Sequence, residues 1–147
     1  MKSFWQPQTR AAVLGRLEVL TPEHRAQWGR FTAPLVVAHL SDALRMAFGD
    51  LATRSKRLPV RHPPLKQIVI YWLPMPKGLP TAAELISRAP AAWEAEMHDC
   101  RTLIERFGRE SPGRAWPDHP AFGTMTARQW GVITYRHTDH HLSQFGV

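Results

Sequence analysis

TARQWGVITYRHTDHHLSQFG, residues 126–146, has the pattern of one long amphipathic helix. Thr126 is a residue type that caps helix N-termini, and the predicted helix runs nearly to Gly146. At about 100° of rotation per residue, several side chains fall within about 60° of His137 on one face: Trp130, Ile133, Thr134 and Gln144. The face that carries His137 is therefore predicted to point into the protein.

His137 and His141 are four residues apart on this helix, so their side chains lie about 40° apart around the axis and can converge on one point. A buried imidazole is costly unless its nitrogens find partners, and two imidazoles one turn apart disfavour protonation of either. A divalent cation would solve both problems. His140 lies about 60° off this face, on the polar side, and is not predicted as a ligand.

A third ligand should come from another helix, and His39 is the candidate. It lies on the apolar face of a second helical pattern over residues 33–51, among Leu35, Val36, Ala43 and Met46. A lone histidine on such a face is more often a hydrogen-bonded core residue than a ligand, so the pattern alone leaves both interpretations open. Of the other histidines, His119 is expected at most to line the mouth of a pocket.

The rest of the chain adds two more long helices. Apolar residues recur at helical spacing over residues 9–20, and a continuous stripe over residues 93–107 includes Cys100, which is predicted to be a small core residue. A capping box, Thr81 to Glu84, predicts a short helix start. Residues 1–147 are therefore interpreted as a single all-α domain, a helical bundle with long connecting loops.

Residues 52–80 are predicted to form a long ordered loop, because they hold six of the 13 prolines. Within it, residues 68–73 are expected to lie extended over the core. The loop also holds six Lys or Arg residues and no acidic one. The candidates for binding the carboxylates of a substrate or thiol are Arg54, Lys56, Arg57, Arg61 and Lys66, although a solvated loop is the simpler interpretation.

The composition limits the partners. The net charge of +7 favours anionic ligands, but the basic residues are dispersed and no recognition helix accompanies them, so nucleic-acid binding is not expected. One cysteine in 147 residues excludes an intrachain disulfide and fits a reducing cytoplasm. No apolar stretch approaches the roughly 20 residues that cross a bilayer, and no targeting segment is visible, so a soluble protein is expected.

Four segments together resemble one known family. The ending 135–146, YRHTDHHLSQFG, is similar to the closing H-x-x-H-H-x-x-Q signature of the DinB-like (YfiT-like) metalloenzymes, and residues 36–42, VVAHLSD, are similar to their first histidine motif. Residues 76–85, PKGLPTAAEL, and 119–123, HPAFG, resemble a branch of uncharacterised DinB-related domains. The resemblance runs from about Leu20 to the C-terminus.

This resemblance implies a DinB-like four-helix bundle in which His39, His137 and His141 bind nickel, zinc or a similar divalent ion such as manganese or iron. Relatives in that superfamily include thiol-dependent S-transferases and a mycothiol-dependent isomerase, so it also implies a low-molecular-weight thiol as ligand. Dimers are common among these relatives, and a homodimer is therefore expected. Members of the branch have no assigned reaction, so the resemblance leaves the function open.

Three functions remain after the sequence is considered. The first is a thiol-dependent transferase, in which the ion ionises a thiol that attacks a small electrophile. The second is a metal-dependent hydrolase assisted by Asp42, Asp50 or His140, although Asp42 is better suited to orienting a ligand. The third is a non-catalytic binding or dimerisation module. Gln144 either contacts a ligand or satisfies a buried group.

Aromatic residues in the proline-rich loops bear on the third function. Trp72 and Trp116 could serve as anchors for a protein partner. Aromatic residues in such loops usually cover the core, and this is the prediction for both.

Overall fold

The computed structural model describes residues 1–78, 83–85 and 88–147. The described chain forms five α-helices: α1 Pro7–Val19, α2 Ala33–Phe48, α3 Leu65–Tyr71, α4 Trp93–Arg106 and α5 Ala127–Gln144. Two single turns of 3-10 helix, Pro59–Arg61 and Ala83–Leu85, lie in the connections. Within these described residues there is no β-sheet, only two isolated bridges. The all-α prediction is confirmed.

The helix ends follow from local sequence. Thr126 caps α5 as predicted: its hydroxyl accepts from the backbone N–H of Gln129, whose side-chain oxygen accepts in return from the N–H of Thr126 at 2.9 Å. Thr32 caps α2 in a similar way. α2 ends three residues before the predicted limit, because Gly49 adopts φ +86°, a left-handed conformation that stops the helix.

The core is built around α2, which is buried on nearly every side. α2 packs mainly against α4 and also against α5, and α1 packs against both α4 and α5. At one end a group of aromatic rings fills the space between helices and loops: Phe4, Trp5, Phe48, Phe107 and Trp116. Trp116 stacks on Phe107 at 6.0 Å, so its prediction as a core cover is confirmed. Cys100 is fully buried, also as predicted.

Residues 68–73 are not extended as predicted, since most of them belong to α3. The side chain of Arg136, on α5, donates hydrogen bonds to the carbonyls of Val69, at 3.0 Å, Ile70 and Leu73. These carbonyls lie at the C-terminal end of α3, where they have no partners within the helix. The guanidinium of Arg136 thus stabilises α3, although the β-branched residues of α3 do not favour a helix.

The orientation of α3 also corrects the prediction for Trp72. Ile70 is buried against the core, whereas Trp72 is 77 % exposed. Trp72 therefore does not cover the core.

None of the described helices is both long and apolar enough to cross a membrane. The capping box predicted to start at Thr81 lies outside the described residues.

Candidate metal centre

The structure brings His39 of α2 together with His137 and His141 of α5. One ring nitrogen of each lies within 4.8 Å of the others, and the two Nε2 atoms of His39 and His137 are 3.0 Å apart. Nitrogen ligands 2.0–2.1 Å from an ion are about 3.0–3.4 Å apart in octahedral or tetrahedral geometry. The three histidines are therefore arranged so that they could hold a metal ion.

Hydrogen bonds fix the orientation of two of these rings. The Nδ1–H of His39 donates to the carbonyl of Leu85 at 3.1 Å, because a carbonyl can only accept. The Nδ1–H of His141 donates to the side-chain oxygen of Gln144 at 2.9 Å. Both rings are thus left with a lone pair on Nε2, which is the form that binds a metal. Phe31 stacks on the His39 ring at 5.2 Å and holds its plane.

Gln144 is itself held in place. Its amide nitrogen donates to the carbonyl of Trp28 at 2.6 Å, which leaves its oxygen for His141. The backbone N–H of Gln27 donates to the backbone carbonyl of Gln144 at 2.7 Å. Gly29 lies so close that a Cβ atom there would be 2.6 Å from the Gln144 amide nitrogen, and its φ is +77°. Gln144 thus satisfies a buried group and orients His141.

Replacing Gln144 by alanine is expected to weaken metal binding by about 10- to 100-fold, because His141 would lose the partner that fixes its tautomer. Affinity is measured by competition with a chromophoric chelator. Replacement of the exposed Gln8 by alanine is the matched control and should leave the affinity unchanged. Equal affinities in the two variants would show that His141 does not need this hydrogen bond.

Burial determines the protonation of the cluster. It lowers the pKa of His39, outweighing the opposing effects of the Leu85 carbonyl and the Asp42 charge. It lowers the pKa of His137 well below the ordinary value, helped by the neighbouring histidines. Burial and His39 lower the pKa of His141 to about 4. All three imidazoles are therefore neutral at pH 7, as metal coordination requires.

Asp42 does not contact the imidazoles. Its carboxylate accepts from Arg45 at 2.6 Å and from Arg88 at 3.0 Å, and Arg88 also pairs with the buried Glu96. The partner of His39 is instead the Leu85 carbonyl. Asp50 forms an ion pair with Arg106 at the surface. The side chain of Asp50 is far more exposed than that of Asp42.

His140 lies beside the cluster but is not part of it. Its ring packs on His141 at 5.3 Å and on Trp28 at 5.9 Å.

Arg61 donates to the side chain of Ser55 and to the backbone carbonyls of Lys56 and Pro120, so it joins two loops. Arg57 is exposed. Burial raises the pKa of Cys100 to about 12, so its thiol stays protonated.

Comparison with known proteins gives one match. The family described as "Protein of unknown function (DUF1569)" matches residues 10–146, nearly the whole chain. The chain belongs to the DUF1569 family. Neither the curated proteins nor the solved structures contain a significant match. For this DUF1569 domain the candidate function must therefore be argued from its own residues.

The DUF1569 domain has a cavity of about 840 Å³ that contains the three histidines in its wall. Its walls come from α2, α3, α5 and four connecting segments, and most of them are apolar, including Leu35, Met46, Phe122, Trp130 and Ile133. Among the described residues that line it, the charged ones are all cations: Arg30, Lys56 and Arg136. Neither Arg57 nor Arg61 is among those described lining residues. A ligand of this cavity is therefore expected to be partly apolar and anionic.

His119 also lines the cavity of this DUF1569 domain. Its Nδ1 accepts from the backbone N–H groups of Ala121, at 3.1 Å, and Phe122, at 3.3 Å. Two backbone hydrogen bonds with Gly123, both 2.8 Å, close the turn. Burial, with a smaller effect of the Arg61 charge, lowers the pKa of His119 to about 3. The HPAFG sequence was the only signal for this turn.

The metal-free domain is expected to lose stability on acidification. The unfolded chain takes up protons as pH falls through about 6.5, whereas folded His141 and His119 do so only near pH 4 and 3. Stability should therefore fall by about 1.4 kcal/mol per pH unit and per histidine over those windows. Urea unfolding at a series of pH values measures this. His119→Asn should reduce the slope, exposed His98→Ala should not, and identical slopes would contradict the assignment.

Proposed function

We propose that this DUF1569 protein is a metal-dependent enzyme of the DinB-like superfamily that transfers a low-molecular-weight thiol to a small electrophile in the cytoplasm. The observation that carries this proposal is the cluster of three neutral histidines in the wall of a large, mostly apolar cavity. Three neutral ligands leave coordination positions open, which is typical of catalytic and not structural sites.

A divalent ion bound by these histidines, with nickel or zinc preferred over manganese or iron, would lower the pKa of a coordinated thiol. The protein supplies the rest of the site. Leu85 and Gln144 hold two imidazoles with Nε2 toward the shared point, and Phe31 fixes the ring of His39. The mostly apolar walls lower the local polarity around the reacting groups, which strengthens charge interactions there.

The hydrolase alternative lacks a well-placed base. Asp42 is held by two arginines and Asp50 lies in a surface ion pair. No Asp or Glu is found among the cavity-lining residues that the structure describes, which leaves His140 as the remaining helper. A metal would ionise a coordinated thiol outright, whereas it lowers the pKa of bound water only to about 7. This difference favours thiol transfer over hydrolysis.

The architecture is part of the same proposal. The four longer helices α1, α2, α4 and α5 would form the DinB-like four-helix bundle, with α3 in a connection. A homodimer is proposed because dimers are common among the relatives that the sequence resembles, and light scattering of the purified protein would test it. The proposed substrate is a small molecule.

Turnover tests the function directly. Metal-loaded protein is assayed with cysteine-derived thiols and a panel of aryl halides, epoxides and enones. We expect rates at least about 100-fold above those of His137→Ala, while exposed His98→Ala keeps wild-type rates. Ester or amide hydrolysis that persists without thiol would favour the hydrolase. A loss of thermal stability on chelation, with no turnover of any kind, would favour a binding module.

A further inference from the structure

His119 and Lys56 lie together at one part of the cavity wall. Both line the cavity, and the backbone N–H of Lys56 donates to the carbonyl of Pro120 at 2.8 Å. Arg61 donates to the same carbonyl, so the loop of Lys56 and the turn of His119 are fixed to each other. Lys56 and the His119 imidazole thus belong to two joined segments of the cavity wall.

The proton of His119 is placed by its backbone contacts. Because Nδ1 accepts two backbone N–H groups, the neutral ring must carry its hydrogen on Nε2. Phe122 and Trp130 pack on the ring, at 4.8 and 5.2 Å, and prevent it from turning. Among the described residues none accepts a hydrogen bond from Nε2. The Nε2–H group is therefore a fixed donor that is available to a ligand.

This donor and the three histidines share one cavity. Trp130, which touches His119, lies seven residues before His137 on α5, an axial rise of about 10 Å. A ligand of a few carbon atoms could therefore reach both groups at once.

We infer that His119 and Lys56 bind the carboxylate of an organic acid whose other end reaches the three histidines. This inference rests on the proposed function, because it assigns the class of the thiol: an ω-carboxylate with an apolar chain between its two ends. The Nε2–H of His119 donates to one carboxylate oxygen, and Lys56 supplies the opposite charge. The apolar walls between them contact the chain.

Two thiols of equal length separate the contribution of the carboxylate from that of the sulfur. Calorimetry on nickel-loaded protein compares 6-mercaptohexanoate with 6-mercaptohexanol. We expect the acid to bind about 10-fold tighter or more, the gain of a charge-assisted hydrogen bond. In His119→Asn and in Lys56→Met this preference should disappear, while 6-mercaptohexanol binds as it does to the wild type.

The asparagine variant is chosen so that the fold survives. Its side-chain oxygen can still accept from the N–H of Ala121, as asparagine does in tight turns, but it has no group at the position of Nε2. His119→Gln is the reverse case, because it keeps an N–H donor near the position of Nε2 and loses the acceptor at Nδ1. It should retain part of the preference for the acid although it is less stable.

The outcomes also separate this inference from the proposed function. An unchanged preference in His119→Asn and Lys56→Met, or no preference in the wild type, overturns the carboxylate site and leaves the metal proposal intact. Failure of both thiols to bind overturns thiol coordination. In that case hexanoate binding to the metal-free protein decides the carboxylate site: it should weaken about 10-fold in His119→Asn, and equal affinities overturn the inference.

Discussion

Replacing His137 by alanine is expected to weaken nickel or zinc binding by more than about 100-fold. His137 contacts both other histidines of the cluster, with its Nε2 3.0 Å from that of His39 and its ring 4.7 Å from that of His141. Its loss leaves only two ligands. The loss of a residue that merely orients a ligand typically lowers metal affinity 10- to 100-fold, and the loss of the ligand itself should lower it more. Competition with a chromophoric chelator gives the affinity.

His140→Ala is the matched control for this experiment. His140 is on the same helix and packs on His141, but it lies outside the cluster. The control should keep wild-type affinity within about threefold. Saturating metal, at about 1,000 times the wild-type dissociation constant, should stabilise the wild type and the control by about 4 kcal/mol and His137→Ala by no more than about 1.4 kcal/mol. If the two variants lost affinity equally, the assignment of ligands would be wrong.

Replacing Arg88 by methionine is expected to destabilise the fold by about 3–5 kcal/mol. Arg88 donates to both oxygens of Asp42, at 3.0 Å, and pairs with Glu96. The side chains of these two acids are only 6 % and 2 % exposed. Without the guanidinium, two buried carboxylates would face each other with fewer partners, and such uncompensated charges are costly.

Urea unfolding at pH 7 measures this effect. Glu18→Gln removes an exposed ion pair, with Arg101, whose side chains are 61 % and 38 % exposed, so this control should cost less than about 1 kcal/mol. Addition of Asp42→Asn to Arg88→Met should recover part of the loss, since one buried charge is removed. A loss in Arg88→Met no larger than that in the control would show that the buried acids do not depend on Arg88.

Most helices were predictable because their signals are local. α5 has its capping threonine and its apolar face in the sequence, and α2 has its apolar face, but the predicted α2 ran three residues too far because the stop signal of Gly49 was not used. α3 was missed because its stabilisation is not local. The guanidinium of Arg136, more than 60 residues away along the chain, binds the free carbonyls at its end. The hydrophobic periodicity and the helix propensity of residues 65–71 give no information on that contact.

The residues of the candidate site also differ in how far local sequence alone predicts them. The spacing of His137 and His141 on one helix could be read directly, whereas His39 needed the family resemblance, since one histidine on an apolar face has more than one explanation. The role of Asp42 was misplaced, because its partner Arg88 comes from a segment that only the tertiary fold brings near. His119 has no helical period, and its turn becomes visible only with the backbone.

The metal content of tag-free protein, by elemental mass spectrometry, is the most direct test of the central claim. A histidine tag would bind metal itself, so it must be absent. We expect close to one nickel, zinc, manganese or iron ion per chain, and close to none for His137→Ala. Wild-type protein that holds no metal after purification without chelators, and takes up none when these ions are added, would contradict this claim.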